Sequence, residues 1–145
     1  MNPKTVLLIS CLRNNCREKL TSISKKTNVP ISTLFDLLKE LQGNIITKNT
    51  VLLNFPKLGY HSRAQVFLKV NRENREKLKQ HLNFHPNINT IYKVNHGWNF
   101  IIETVHKNIK ELDDFLENLE SQFMIEDKQI HYLIDEIKKE GFHII

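Results

Sequence analysis

One stretch constrains this chain more than any other: LTSISKKTNVPISTLFDLLKEL, residues 20–41. It reads as two short helices meeting at a break. Thr21 and Ser22 are side chains able to cap a helix start, and Ile23 opens the apolar pattern behind them. Asn28-Val29-Pro30 ends that helix, since proline disfavours helical backbone in the residue before it. The chain restarts at Pro30 or Ile31, where a missing first-turn N–H costs little. At about 100° per residue, Ile31, Leu34, Leu37, Leu38 and Leu41 fall in one apolar stripe. Ser32, Asp36 and Lys39 cluster opposite, with Thr33, Phe35 and Glu40 on the flanks. Such a helix pair suits a DNA major groove, and it equally suits an ordinary amphipathic helical hairpin with a solvated outer face.

Charge distribution separates the two. The net charge is +5, and residues 1–55 carry eight basic and three acidic groups, while residues 56–145 carry thirteen of each. The whole excess sits on the segment holding the helix pair, an electrostatic footprint for a polyanion. Nucleic acid is therefore the expected partner. Ser32, Thr33, Phe35, Asp36 and Lys39 are the candidate base-reading residues, and Arg17, Lys25, Lys26 and Lys48 the candidate phosphate contacts.

At 145 residues the chain holds one medium domain or two small ones. It has no apolar run of membrane-spanning length and no signal-like N-terminus, so a soluble, cytoplasmic protein is expected, with no membrane partner. Cys11 and Cys16 lie about 140° apart on a helix, unsuited to a disulfide framework or a metal pair and in keeping with a reducing compartment. His81 and His85 have helical i, i+4 spacing but no evident third ligand, so no metal or other cofactor is expected. No glycine-rich phosphate loop and no nucleophile arrangement stands out.

Taken in order, Val6, Ile9 and Leu12, widened by Leu8, predict a first helix over residues 4–14. The helix pair follows, and residues 45–55, IITKNTVLLNF, predict a short hairpin turning at Lys48-Asn49. Together these make a winged helix-turn-helix over residues 1–55. Pro56-Lys57-Leu58-Gly59 is the expected boundary to a second domain over 56–145. There strands are expected at 62–71, 88–94, 99–105 and 128–137, and helices at 71–84 and from Ile109 to Phe123. The order βαββαβ predicts a ferredoxin-like α+β domain with an antiparallel sheet. Apolar residues on both sides of the first strand (Val66, Leu68 and Val70 against Phe67) predict that the open sheet face packs on a second copy about a two-fold axis.

These features resemble the Lrp/AsnC family of transcription regulators, which join a winged helix-turn-helix to a ferredoxin-like effector-sensing and dimerising domain. The resemblance spans about residues 4–142 and rests on LLISCLRNNCREKLTSISKKTNVPISTLFDLLKEL, LLNFPKLGY and HPNINTIYKVNHGWNFIIETV. It implies a homodimer or higher even-numbered oligomer on double-stranded DNA, modulated by a small molecule such as an amino acid. It also implies that the turn His96-Gly97-Trp98-Asn99 serves assembly or effector binding. Four departures stand out: Leu37 where many members carry arginine, a loop about one residue short between Leu41 and Ile46, Asn99 for an aspartate, and His96 in the place of the usual glycine. An alternative enters at the same turn. Siroheme decarboxylases look similar in architecture and carry an H-x-Y-N stretch, which would make His96 a proton donor. The basic N-terminal half and the lack of arginines around the turn favour a regulator over an enzyme.

Overall fold

The computed structural model describes residues 1–144. The chain divides into two compact units: Met1–Leu52 with the tail from Lys138, and Leu53–Ile137.

The first unit is built on three helices: α1 (Pro3–Asn14), α2 (Leu20–Thr27) and α3 (Ile31–Leu41). α1 is capped by Asn2, whose side chain accepts from the Lys4 N–H at 2.9 Å, with Pro3 in the first turn. The start of α2 differs from the sequence expectation. The helix begins at Leu20 with Lys19 at the cap position and no side-chain cap, so Thr21 and Ser22 lie inside it. Its end follows the expectation: Asn28 turns left-handed at φ 58°, where asparagine is tolerated, and donates to the Ser24 carbonyl. Ser24 Oγ donates to the Val29 carbonyl at 2.6 Å, fixing the corner between α2 and α3. Leu8, Ile23, Val29, Leu34 and Leu41 form the buried core. Leu8 and Thr5 centre the inner face of α1, while Val6, Ile9 and Leu12 are half-buried. In the tail, Glu140 and the Phe142 carbonyl accept from the Arg13 guanidinium at 3.2 and 3.0 Å.

The hairpin expected over 45–55 does not form. After α3 the chain folds straight back: Ile46 N–H donates to the Leu41 carbonyl, Gly43 N–H to the Ile46 carbonyl, and Gln42 and Ile46 make an isolated parallel bridge. Gly43 takes φ 76°, which only glycine adopts without strain. Asn49 Nδ2 then donates to Gln42 Oε1 at 3.1 Å, so it serves the loop and not a strand turn. Val51, Leu52 and Leu53 follow as an exposed irregular run.

The second unit opens with a 3-10 turn, Pro56–Leu58, ended by Gly59 at φ 91°. Its elements are β1 (Ser62–Val70), α4 (Arg75–Phe84, preceded by a 3-10 turn at Arg72–Asn74), β2 (Ile88–Lys93), β3 (Phe100–His106), α5 (Ile109–Phe123) and β4 (Ile125–Tyr132). The sheet order is β2-β3-β1-β4, with all neighbours antiparallel. This is the ferredoxin-like βαββαβ arrangement. Helix α4 starts later than the expected residue 71 because Asn71 turns back to accept from the Asn74 N–H at 3.0 Å. β4 begins and ends earlier than 128–137: Met124 leaves α5 left-handed at φ 50°, so pairing begins with Ile125 against Val70, and the ladder stops at Tyr132. Alternation sends Ala64, Val66, Leu68, Val70, Phe100 and Ile102 inward, where Leu78 and Leu82 of α4 and Leu112, Phe115, Leu116 and Leu119 of α5 cover them. Among the described residues, no helix is long and apolar enough to cross a membrane.

Candidate nucleic-acid interface and the sheet-end turn

On α3, burial claims Leu34 and Leu41 fully and Leu37 and Leu38 in part. The helix thereby fixes its opposite face outward. Ser32, Phe35, Asp36 and Lys39 are all exposed there, while Thr33 is half-buried on the flank. Ile31, expected in the inner stripe, is 47% exposed because it opens the helix beyond the edge of the core. Arg17 is exposed in the turn before α2, and Lys25 is exposed on α2. Lys26 is also exposed, but its ammonium pairs with Glu18 at 2.5 Å, and hydrogen bonding and charge from that carboxylate raise its pKa above 10.5. A phosphate must therefore compete with Glu18 for this lysine. Lys48 is exposed in the irregular segment, not at a hairpin tip.

At one end of the sheet, β2 and β3 are joined through residues 94–99. Both His96 (φ 59°) and Gly97 (φ 90°) are left-handed. Two consecutive positive φ values give a turn whose twist matches that of the strands. His96 is exposed. Trp98 is half-buried, its ring 5.8 Å from that of Phe67 on the open sheet face. Asn99 is an anchor: its N–H donates to the Leu68 carbonyl at 2.9 Å, and its Oδ1 accepts from the Val70 N–H at 2.8 Å.

The open sheet face carries Phe67 and Ile101 at paired positions, exposed Tyr92 beside Ile101, and His131 edge-on to Phe67. Arg63 bridges Glu103 and Glu136 at 3.4 and 3.2 Å and stacks 4.9 Å over the Phe55 ring. That charged cluster was not apparent in the sequence, because its members come from four separate segments.

A histidine cluster on the helical side of the sheet was also missed. His81 and His85 are half-buried, not free on the surface, and pack on Phe123 and Phe115 with ring separations of 5.1 and 4.7 Å. His106 is buried, 2.6 Å from Thr104 Oγ1. Burial lowers the His85 pKa, reinforced by the charge of His81; burial lowers that of His106 against an opposing pull from Glu111. The inward register of Phe100, Ile102 and Thr104 continues to His106, and that alternation was the available signal. Among the described residues, no group of three or more His, Cys, Asp or Glu side chains is placed to hold a metal ion.

Comparison with known proteins settles the family. Residues 63–141, more than half the chain, match the Lrp/AsnC ligand binding domain. The chain belongs to the Lrp/AsnC family. An HTH-type transcriptional regulator of Pyrococcus furiosus is 25% identical over 138 residues, covering 94% of this chain and 93% of that protein. The regulator FL11 of the same organism is 28% identical over 111 residues, covering 76% and 74%. Among solved structures, Bacillus subtilis LrpC matches with a TM-score of 0.86 at 17% identity, covering 95% of this chain and 97% of that one. Escherichia coli AsnC matches with a TM-score of 0.85 at 15% identity, covering 96% and 95%. A Neisseria meningitidis regulator solved with L-Met matches with a TM-score of 0.88 at 15% identity, covering 96% and 93%. The Lrp/AsnC relatives are transcription regulators, and this chain is a regulator of that family, not an enzyme.

Proposed function

We propose that this protein is a double-stranded-DNA-binding regulator, and that α3 of a helix-turn-helix reads the major groove. The observation that carries the reading is the outward face of α3, Ser32, Phe35, Asp36 and Lys39, in the segment that holds the entire +5 excess. Arg17, Lys25, Lys26 and Lys48 contact phosphate, each neutralised phosphate adding about 0.9 to the slope of log K against log salt. Asp36 discriminates by accepting from a cytosine amino group, since elsewhere a carboxylate repels the backbone. The test is selection of bound duplexes from a random library, followed by titration over a range of salt. Replacing Lys25 and Lys26 by Ala should weaken all duplexes about equally and flatten the salt slope; Lys39→Ala should also change the preferred sequence. Unchanged binding in both variants overturns the assignment.

The protein acts as a homodimer or a higher even-numbered oligomer formed through the open sheet face. Half-buried Phe67 and Ile101 beside exposed Tyr92 support this: aromatic and apolar groups gathered on one sheet face are an association surface. Phe67→Asp in the full chain should sediment as a monomer; an unchanged dimer places the interface elsewhere. A small molecule, of amino-acid class in this reading, acts at the turn formed by His96, Gly97, Trp98 and Asn99. The relative solved with L-Met supports that class. Trp98→Ala should alter assembly or the response to added amino acids while leaving intrinsic DNA contacts intact. A variant unchanged in both respects makes the turn structural only.

A further inference from the structure

The outward face of α3 contains an apolar ridge that neither the core nor phosphate binding explains. Ile31 is 47% exposed and Phe35 58% exposed, and the i, i+4 spacing sets them side by side along the helix. Ser32 and Asp36 form a parallel polar ridge, and Lys39 follows one turn after Phe35. The helix sequence ISTLFDLLKEL contains no arginine, asparagine or glutamine. The bidentate pairs by which those side chains select guanine or adenine are therefore beyond its reach. What it offers the groove, apart from the Ser32 hydroxyl, Lys39 and the carboxylates of Asp36 and Glu40, is hydrophobic surface. In the major groove the one apolar group on a base edge is the thymine C5-methyl.

We propose that Phe35, flanked by Ile31, is a specificity-determining residue that packs on thymine methyl groups, so that the protein selects sites by thymine placement. The inference rests on the DNA-binding reading above. DNA is the occupant of this ridge, and not a second protein, because the same unit carries lysines at 25, 26 and 39 and Arg17, all exposed. A hydrophobic ridge framed by cations suits an apolar group held within a polyanion. Phe35 supplies a rigid face of large area, and Ile31 closes the side nearer the helix start. Desolvation of the methyl then favours thymine over cytosine, which presents an amino group and no methyl.

The test uses the full-length protein and duplexes it selects from a random library, resynthesised with deoxyuridine at one thymine position at a time. This change removes the methyl and leaves base pairing intact. At one or two positions per half-site the wild-type protein should bind about fourfold more weakly, equivalent to about 0.8 kcal/mol for one buried methyl-sized group. Phe35→Ala should bind the thymine duplex more weakly and lose the thymine-to-uracil difference at those positions. Phe35→Leu, which keeps an apolar side chain, should retain part of it. If wild-type binds strongly but is indifferent to every uracil substitution, the methyl contact is overturned and the DNA reading stands. If Phe35→Ala loses the same factor on thymine and uracil duplexes, or changes only the sedimentation of the protein, the ridge serves another purpose and the proposal fails. If no duplex is bound at all, the DNA reading falls, and this inference with it.

Discussion

The helical unit and the sheet unit solve the burial problem differently. The sheet unit gathers twelve buried side chains into one continuous core between the sheet and α4 and α5. The helical unit closes around five: Leu8, Ile23, Val29, Leu34 and Leu41. It leaves Ile31, Phe35, Val51 and Leu52 outside. A three-helix unit with so thin a core cannot cover all of its apolar surface, and what remains exposed is available for recognition. The sheet unit groups Phe67, Ile101 and Tyr92 on its open face, while Phe84, Ile134 and Ile137 are also exposed.

The largest effects should come from breaking the thinner core. Leu34 is fully buried in α3, and Leu34→Ala removes most of one of five core side chains, at a cost of about 2–5 kcal/mol. Hydrogen exchange on the full chain should show faster exchange through α1, α2 and α3, with the strands still protected. Leu116→Ala, made in the larger core against β1 and β3, should cost a similar amount but raise exchange across the sheet unit. Equal loss of protection everywhere from either variant would mean that the two cores do not melt as separate units.

The same contrast decides what could be read from the sequence. Helix positions in the first unit and the strand order of the second follow from periodicity, since Leu34 and Leu41, or Val66 and Leu68, repeat at the spacing of their element. The segment from Gln42 to Leu53 does not. Ile45, Ile46, Val51 and Leu52 have strand-like composition, but a hairpin needs cross-strand partners and a buried face, and here no strand forms around them. The end of β4 was misplaced for the related reason that Leu133, Ile134 and Ile137 are apolar yet lie past the last paired residue. At the candidate interface, polar and apolar positions on α3 were legible from the helical wheel. The Lys26–Glu18 pair was not, because its partners lie eight positions apart, on either side of the α2 start. The histidine cluster needed the fold, since His85 and His106 come together around the Phe115 ring of α5, at 4.7 and 5.2 Å.

A middle-sized effect tests how the sheet unit fixes its turn. Asn99 stands where the family commonly carries aspartate, and its Oδ1 takes the Val70 N–H at the end of β1. Asn99→Ala leaves that half-buried donor without its acceptor and should destabilise by about 1–3 kcal/mol. Asn99→Asp restores a carboxylate acceptor at the same place and should recover most of the loss, read as the midpoint of chemical denaturation. If Asp behaves like Ala, the amide's own N–H₂ group matters, and the acceptor account is wrong.

The smallest expected effect is one of pH, and it should belong to the sheet unit alone. His85 Nδ1 accepts from the Asn87 N–H at 3.2 Å, so a proton there would set donor against donor. Asn87 in turn exchanges bonds with Val105: its Nδ2 donates to the Val105 carbonyl at 2.7 Å, and its carbonyl accepts from the Val105 N–H at 2.9 Å. Its carbonyl also accepts from Thr104 Oγ1 at 3.3 Å, while His106 Nε2 approaches that hydroxyl. Protonating His85 therefore strains the hub that joins α4 to the edge of β3. Burial is the main reason that His85 and His106 fall below the ordinary 6.5, with His81 adding repulsion at His85 and Glu111 opposing the shift at His106. The unfolded chain takes up a proton near 6.5, whereas the folded chain resists until lower pH. Stability is thus full above 6.5 and declines as pH falls from there through the depressed folded values. Denaturation followed from about pH 7.5 to about pH 5.5, the range in which histidine changes charge, should show this decline in the sheet unit. Replacing both His85 and His106 by Gln should flatten the slope over that interval. A slope that persists in the double variant would move the proton uptake to other groups.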